Sequence, residues 1–197
     1  MINIKTFTTP IIAGKFKGKM ILIPDISTTR SSKSILKESF FNTLQFDIID
    51  KNFVEVFAGS GSVGLEALSR GANRVYFMEK NSDALEILRH NVARLEPQKC
   101  TIIKGNSFAK FEALYNEIKN LKVKTYFYFD PPFATRVGME DIYDDTIALI
   151  KSIERDVCEM AIIEHMNTLE LPLEIGELIL QKQKRFGKSV LSYYKFT

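Results

Sequence analysis

The sequence predicts an α/β fold: a mostly parallel sheet of seven strands, helices on both faces, and a C-terminal antiparallel hairpin. Three observations carry this expectation. Short β-branched and aromatic runs alternate with amphipathic segments from 53 to 165, the pattern of a parallel sheet covered on both sides. The glycine-rich stretch Gly59-Ser60-Gly61-Ser62-Val63-Gly64 stands between the first such run and a helical pattern. The aromatic run Tyr126-Phe127-Tyr128-Phe129 ends on Asp130-Pro131-Pro132-Phe133. Proline has no N–H and cannot continue a sheet ladder, so this run stops in a stiff loop. Open parallel sheets take their ligands at such strand ends.

The totals agree with a single folded unit carrying a small extension. The chain has 197 residues, 45% of them hydrophobic, with 15 Phe and 7 Tyr, enough for a core without disulfide or metal. Cys100 and Cys158 lie in strand-like surroundings at no metal-binding spacing and read as buried thiols. His90 and His165 likewise lack partners at ligand spacing and read as structural or exposed. With no signal peptide or membrane-length apolar run, we expect a soluble, cytoplasmic monomer with no metal and no membrane association. Residues 1–37 carry a net charge of +6 against −3 for the remainder, and Lys182, Lys184, Arg185 and Lys188 form a second basic cluster. Both clusters suggest a polyanionic partner, though solvated lysines that aid solubility fit the charge equally well.

Taken in order, 1–50 reads as a basic extension and 51–197 as the main domain. Ile11 to Ile23 reads as a small β-hairpin with Lys15-Phe16-Lys17-Gly18-Lys19 at its tip. Ile35, Leu36, Phe40, Phe41 and Leu44 fall at helical spacing and predict a helix over 32–46. Strands are expected at 53–57, 74–78, 101–103, 124–129 and 160–164, with helices at 63–69, 82–95, 108–121 and 142–153. The runs 178–181 and 190–196 flank a basic, Gly-containing turn and predict the closing hairpin.

The glycine stretch matches G-x-G-x-x-G in a strand–turn–helix setting, and Glu79 ends the second strand 20 residues after Gly59. Glycines let a backbone approach a ligand, and a strand-end acid grips ribose hydroxyls, so a nucleoside-containing cofactor is expected. Glu55 lies inside the first strand, where an unpaired acid is costly. A cationic amine on the ligand would supply its partner, which favours S-adenosylmethionine over a dinucleotide.

Glu55-Val56-Phe57-Ala58-Gly59-Ser60-Gly61 resembles the first motif of class I methyltransferases, and Asp130-Pro131-Pro132-Phe133 resembles their (D/N)PP(Y/F/W) motif for exocyclic amines. Joined to Gly64-Leu65-Glu66-Ala67-Leu68-Ser69-Arg70-Gly71-Ala72, the N-terminal block from Ile11 to Lys19 with Thr29-Arg30, and the C-terminal Arg185-Phe186-Gly187-Lys188, they resemble the bacterial small-subunit (16S) rRNA guanine-N2 methyltransferases over nearly the whole chain. The resemblance implies a Rossmann-like class I fold, S-adenosyl-L-methionine as cofactor, and small-subunit rRNA, free or in a particle, as partner. It implies catalysis by Asp130, Pro131, Pro132 and Phe133, the first two accepting from the amine and Phe133 stacking on the base. Cofactor contacts would come from Glu55, Phe57, Ala58, Gly59, Ser60, Gly61, Glu79, Lys80, Asn106 and Ser107, and RNA contacts from Lys15, Lys17, Lys19, Arg30, Arg185 and Lys188. The chain departs from the family pattern at Glu55 (usually Asp), at Asn106-Ser107 (usually Asp-Ala) and at the segment after Arg30. The proline loop is shared with DNA adenine-N6 and protein-amide methyltransferases, so the loop alone leaves the acceptor open. A non-catalytic RNA-binding protein on the same scaffold is the reading from another class.

Overall fold

A computed structural model of the protein describes residues 5–25, 30–132 and 141–197, except for the side chains of 30–32. The chain begins with strands β1 (Thr6–Pro10) and β2 (Met20–Pro24), followed by helix α1 (Arg30–Leu44). Then come β3 (Asn52–Glu55), α2 (Ser62–Ser69), β4 (Val75–Glu79), α3 (Ser82–Ala93), β5 (Cys100–Lys104), α4 (Ser107–Leu121) and β6 (Thr125–Phe129). It closes with α5 (Ile142–Lys151), β7 (Cys158–Met166), β8 (Glu174–Ile175), β9 (Leu178–Phe186) and β10 (Ser189–Phe196).

The main sheet runs β5-β4-β3-β6-β7-β10-β9-β8. The first five strands in that order are parallel, and the last three are added antiparallel. The order reverses at β3, so β3 and β6 leave the sheet side by side at a switch point, where such sheets bind ligands. Seven strands match the expectation. The eighth, β8, is a two-residue edge strand too short to show any periodicity.

Side chains alternate between two cores, as a period of two requires. Phe53, Phe77, Tyr126, Tyr128, Ile162, Leu191 and Tyr193 face α1, α2 and α3. Val54, Val56, Met78, Phe127, Phe129, Ile163 and Tyr194 face α4 and α5. The first 50 residues contribute to the first core: Ile11, Ile21, Leu36, Phe40 and Phe41 are all buried there. Phe40 lies 5.2 Å from the Tyr128 ring and 6.2 Å from that of Tyr193.

The hairpin differs in detail from expectation. Its first strand is the polar Thr6–Pro10, paired with Met20–Pro24, while Ile11 lies in the turn with its N–H on the Lys19 carbonyl. An apolar residue was drawn into the core, and a two-sided exposed strand was left looking polar. The closing hairpin also differs, because Lys182, Lys184 and Arg185 lie along β9 and only the stretch around Gly187 turns. Cys158 is buried and Cys100 half-buried, with burial pushing both thiols up to about 12. His165 is structural: it is buried, and its ring nitrogens lie 3.0 Å from the Met166 carbonyl and 2.8 Å from Ser192 Oγ. Among the described residues no helix is long and apolar enough to cross a membrane.

Candidate active site

Three βα turns interlock at the carboxyl ends of β3, β4 and β5. Gly59 N donates to Glu79 Oε2 at 2.7 Å, and Asn81 N donates to Glu79 Oε1 at the same distance. Asn81 Oδ1 in turn caps α3 by accepting from Asp83 N and Ala84 N. Ser107 Oγ donates to the Val56 carbonyl at 2.5 Å, and the Phe57 and Phe108 rings lie 5.5 Å apart. Asn106 acts as the N-cap of α4, its Oδ1 accepting from Phe108 N. Lys80 is exposed beside Glu79.

The glycines show what this turn is built for. A Cβ on Gly64 would stand 2.5 Å from the Phe77 ring and 2.9 Å from Glu55 Oε2, so this glycine lets α2 lie close on the sheet. A Cβ on Gly59, at φ +53°, would meet nothing within 4 Å. The first glycine therefore presents open backbone beside the Glu79 carboxylate, the surface a nucleoside needs. The residues present fit S-adenosylmethionine.

Glu55 is buried at the end of β3, and burial pushes its carboxyl up to about 8. Its oxygens accept from the first turn of α2, from Gly64 N at 2.9 Å and Val63 N at 3.4 Å. The acid thus has protein partners and does not depend on a ligand amine. Lys37, a buried lysine of α1, donates to the Ser62 carbonyl at 3.5 Å and lies 3.8 Å from Glu66 Oε2. Burial lowers its pKa, with Glu66 and then Glu55 opposing.

On the neighbouring strands the register aligns two more acids. Phe129 of β6 pairs with Ile163 of β7, so Asp130 and Glu164 follow at the same level. The Asp130 side chain is partly exposed, whereas that of Glu164 is 2% exposed. Tyr128 OH donates to Glu164 Oε2 at 2.8 Å, while Glu164 Oε1 accepts no hydrogen bond from the described residues. Lys33 of α1 reaches over both acids, its Nζ 2.9 Å from Asp130 Oδ2 and 3.6 Å from Glu164 Oε1. Asp130 foremost raises the Lys33 pKa above the ordinary lysine value. Burial, then Asp130, raises the Glu164 carboxyl, against the pull of Lys33, Tyr128 and the Ser189 hydroxyl.

The structure therefore brings Glu55, the glycine turn, Glu79, Ser107, Asp130 and Pro131-Pro132 to one end of the sheet. Phe133 lies outside the described residues, as does the Arg30 side chain. The β9–β10 turn reaches the same end, because Ser189 pairs with Met166 at the carboxyl end of β7, and Arg185 and Lys188 are exposed there. Lys15, Lys17 and Lys19 do not join them. Lys15 N donates to the Ser69 carbonyl and Phe16 N to Ser69 Oγ, at the far end of α2 from Glu55. Eight helical residues separate the two ends by about 12 Å. Lys15 pairs with Glu96, and Lys15 and Lys19 flank the Phe16 ring. A separate cleft of about 400 Å³, lined by Lys151, Arg155, Glu177 and Phe196 among others, opens before β7 at the amino end of the sheet, away from Asp130.

Sequence reasoning passed over Lys33, Lys37, Glu66 and Glu164. The signal for Glu164 was present: it ends the apolar run Ala161-Ile162-Ile163 just as Glu55 ends Phe53-Val54. Lys33 and Lys37 count toward the basic charge of residues 1–37, but their i, i+4 spacing puts both on one face of α1, turned toward the acids.

Fold and site together define a Rossmann-like, S-adenosylmethionine-dependent methyltransferase. The family model described as "Conserved hypothetical protein 95" matches residues 9–195, and the chain belongs to that family. It is 31% identical over 141 residues to "Ribosomal RNA small subunit methyltransferase D" of Escherichia coli (strain K12), covering 72% of this chain and 66% of the relative. The protein of the same name from Buchnera aphidicola subsp. Baizongia pistaciae is 29% identical over 193 residues, covering 96% and 93%. Among solved structures, the putative methyltransferase yhhF of Escherichia coli superposes with a TM-score of 0.74 at 25% identity, covering 97% of this chain and 99% of that one. The hypothetical protein TTHA0928 of Thermus thermophilus superposes with a TM-score of 0.68 at 23% identity, covering 95% and 99%.

Proposed function

We propose that the protein transfers a methyl group from S-adenosyl-L-methionine to the exocyclic N2 amine of a guanine in small-subunit rRNA. One observation carries the reading. Asp130, on the strand beside the glycine turn, already holds an N–H donor, the Lys33 ammonium, at 2.9 Å. The names of the rRNA-methylating relatives support the substrate class.

The cofactor supplies an electrophilic methyl on a cationic sulfur. Glu79 and the Gly59 backbone hold its nucleoside part, with Asn106 and Ser107 at the third turn. The guanine N2 lone pair is delocalised into the ring, so the protein must let the nitrogen become tetrahedral. Asp130 Oδ and the Pro131 carbonyl accept its two N–H bonds; as the N–C bond forms, the methyl–sulfur bond breaks with its electron pair left on a neutral thioether, and one N–H proton leaves toward Asp130. Positioning is the main task, since the amine turns acidic only during transfer. Phe133 stacks on the flipped base, whose extrusion costs a few kcal/mol. Arg185 and Lys188 hold phosphate at the same end of the sheet.

Asp130→Ala removes the acceptor and should lower methylation of small-subunit rRNA by at least about 100-fold. Cofactor affinity by calorimetry should stay within about threefold of wild type, the size of error expected for a group outside that contact. Activity near the wild-type level would sink the mechanism.

A further inference from the structure

The Lys33 ammonium is bracketed by two carboxylates, and only one of them has a role in the reaction above. Glu164 is the unexplained one. It is buried, one oxygen is held by Tyr128, and the other, ion-paired with Lys33, accepts no hydrogen bond from the described residues although it faces the same point as Asp130. A buried acceptor without a hydrogen bond is costly, so this oxygen weakens the fold relative to one that is fully satisfied. Lys33 meets it only at 3.6 Å, from a side chain that is 57% exposed and held at 2.9 Å by Asp130.

We propose that Glu164 is the residue that selects guanine. This rests on the function proposed above and adds its specificity. With Lys33 displaced, Glu164 Oε1 accepts from guanine N1–H while Asp130 accepts from the adjacent N2 amine. Lys33 is then a stand-in, one donor group spanning two acceptors that the base later meets with two adjacent N–H groups. Guanine offers that pair of donors. Adenine offers an amine beside the N1 lone pair, which would face the carboxylate and be repelled. The same oxygen that is costly when empty thus rejects the wrong base, since sites built to hydrogen-bond one group discriminate strongly against its absence.

The test uses small-subunit rRNA assembled by ligation, free or reconstituted into the subunit, carrying guanine or 2-aminopurine at the methylated position. 2-Aminopurine keeps the N2 amine but has a lone pair at N1 and lacks O6, so the Glu164 variant assigns the difference to N1. The wild-type protein should prefer guanine by at least about tenfold in kcat/KM, the lower range for one lost hydrogen bond to a charged group. Glu164→Gln, whose amide can donate, should lose about 100-fold on guanine and narrow or invert the preference. Cofactor affinity by calorimetry reports whether that variant is folded, and equal use of the two bases by wild type overturns the proposal even if it is not. Equal methylation of the two bases by wild type overturns this role for Glu164 while leaving guanine-N2 methylation intact. So does a folded Glu164→Gln with unchanged guanine activity and preference. Absence of guanine methylation by wild type, on free RNA and on subunits alike, overturns the proposed function and this inference with it.

Discussion

Glu66 and Glu164 are both buried carboxylates on the face of the sheet covered by α1, yet their surroundings differ in kind. Glu66 is saturated: Ile12 N donates to Oε2 at 2.8 Å, while Ala13 N and Arg70 Nε donate to Oε1 at 3.0 and 2.9 Å. Through these bonds it ties the N-terminal hairpin to α2. Glu164 has one oxygen held and one without a hydrogen bond among the described residues, under a lysine that is 57% exposed. A buried acid whose bonds are complete holds the fold together. One with an open acceptor at a strand end is kept for something that arrives.

The largest effect should come from the saturated acid. Glu66→Ala strands two backbone N–H groups and Arg70, and should cost about 3–5 kcal/mol in denaturant unfolding. Glu164→Gln keeps the Tyr128 bond and should cost about 1 kcal/mol or less. A Glu164 variant as unstable as the Glu66 variant would erase the distinction between the two acids.

Glu55 lies between these cases, capping α2 while its carboxyl is raised from 4.5 to about 8 by burial. The folded state therefore holds this proton more tightly than the unfolded chain. Its contribution is full below the ordinary carboxylate pKa and declines as pH rises toward 8, by at most about 1.4 kcal/mol per unit. Glu55→Gln should flatten that part of the stability profile, and an unchanged slope would mean the acid is already ionised in the fold.

The two basic regions extend the contrast to the partner. Arg185→Glu with Lys188→Glu should weaken binding of small-subunit rRNA by about tenfold and lower the salt dependence by about two phosphate contacts. Lys17→Glu with Lys19→Glu, at the opposite end, should change it by about twofold or less, the usual scale for distant surface charge. A larger loss at the hairpin tip would require RNA to wrap past α2.

What the sequence made legible was local. The glycine turn, the strand-end Glu79 and the Asp130-Pro131-Pro132 loop each lie within a short span whose chemistry constrains its own backbone, and all were brought to one end of the sheet. The alternating strand–helix units emerged for the same reason. The Lys33–Asp130–Glu164 cluster stayed hidden because its members come from three separate elements and meet only through the register of β6 against β7. The position of the basic tip was hidden on similar grounds: charge is visible along a chain, but which end of a sheet it reaches depends on how β2 and α1 cross the surface. Lys184, counted as basic surface, donates to Ser39 Oγ and Thr43 Oγ1 and so is engaged by α1.

That last contact has a consequence in time. Ser39 and Lys184 are 145 residues apart, and Phe40 packs near Tyr193 in the same core. During synthesis α1 leaves the ribosome early, but the strands that hold its inner face are made last. Non-local partners of this kind delay completion of a fold. Until β9 and β10 emerge, α1 lacks these anchors, and Lys33 and Lys37 are not yet held over the acids they face. The acceptor site is therefore completed only once β9 and β10 have emerged, so a chain cut short before residue 178 would carry the glycine turn, Glu79 and the proline loop and still lack these anchors for α1.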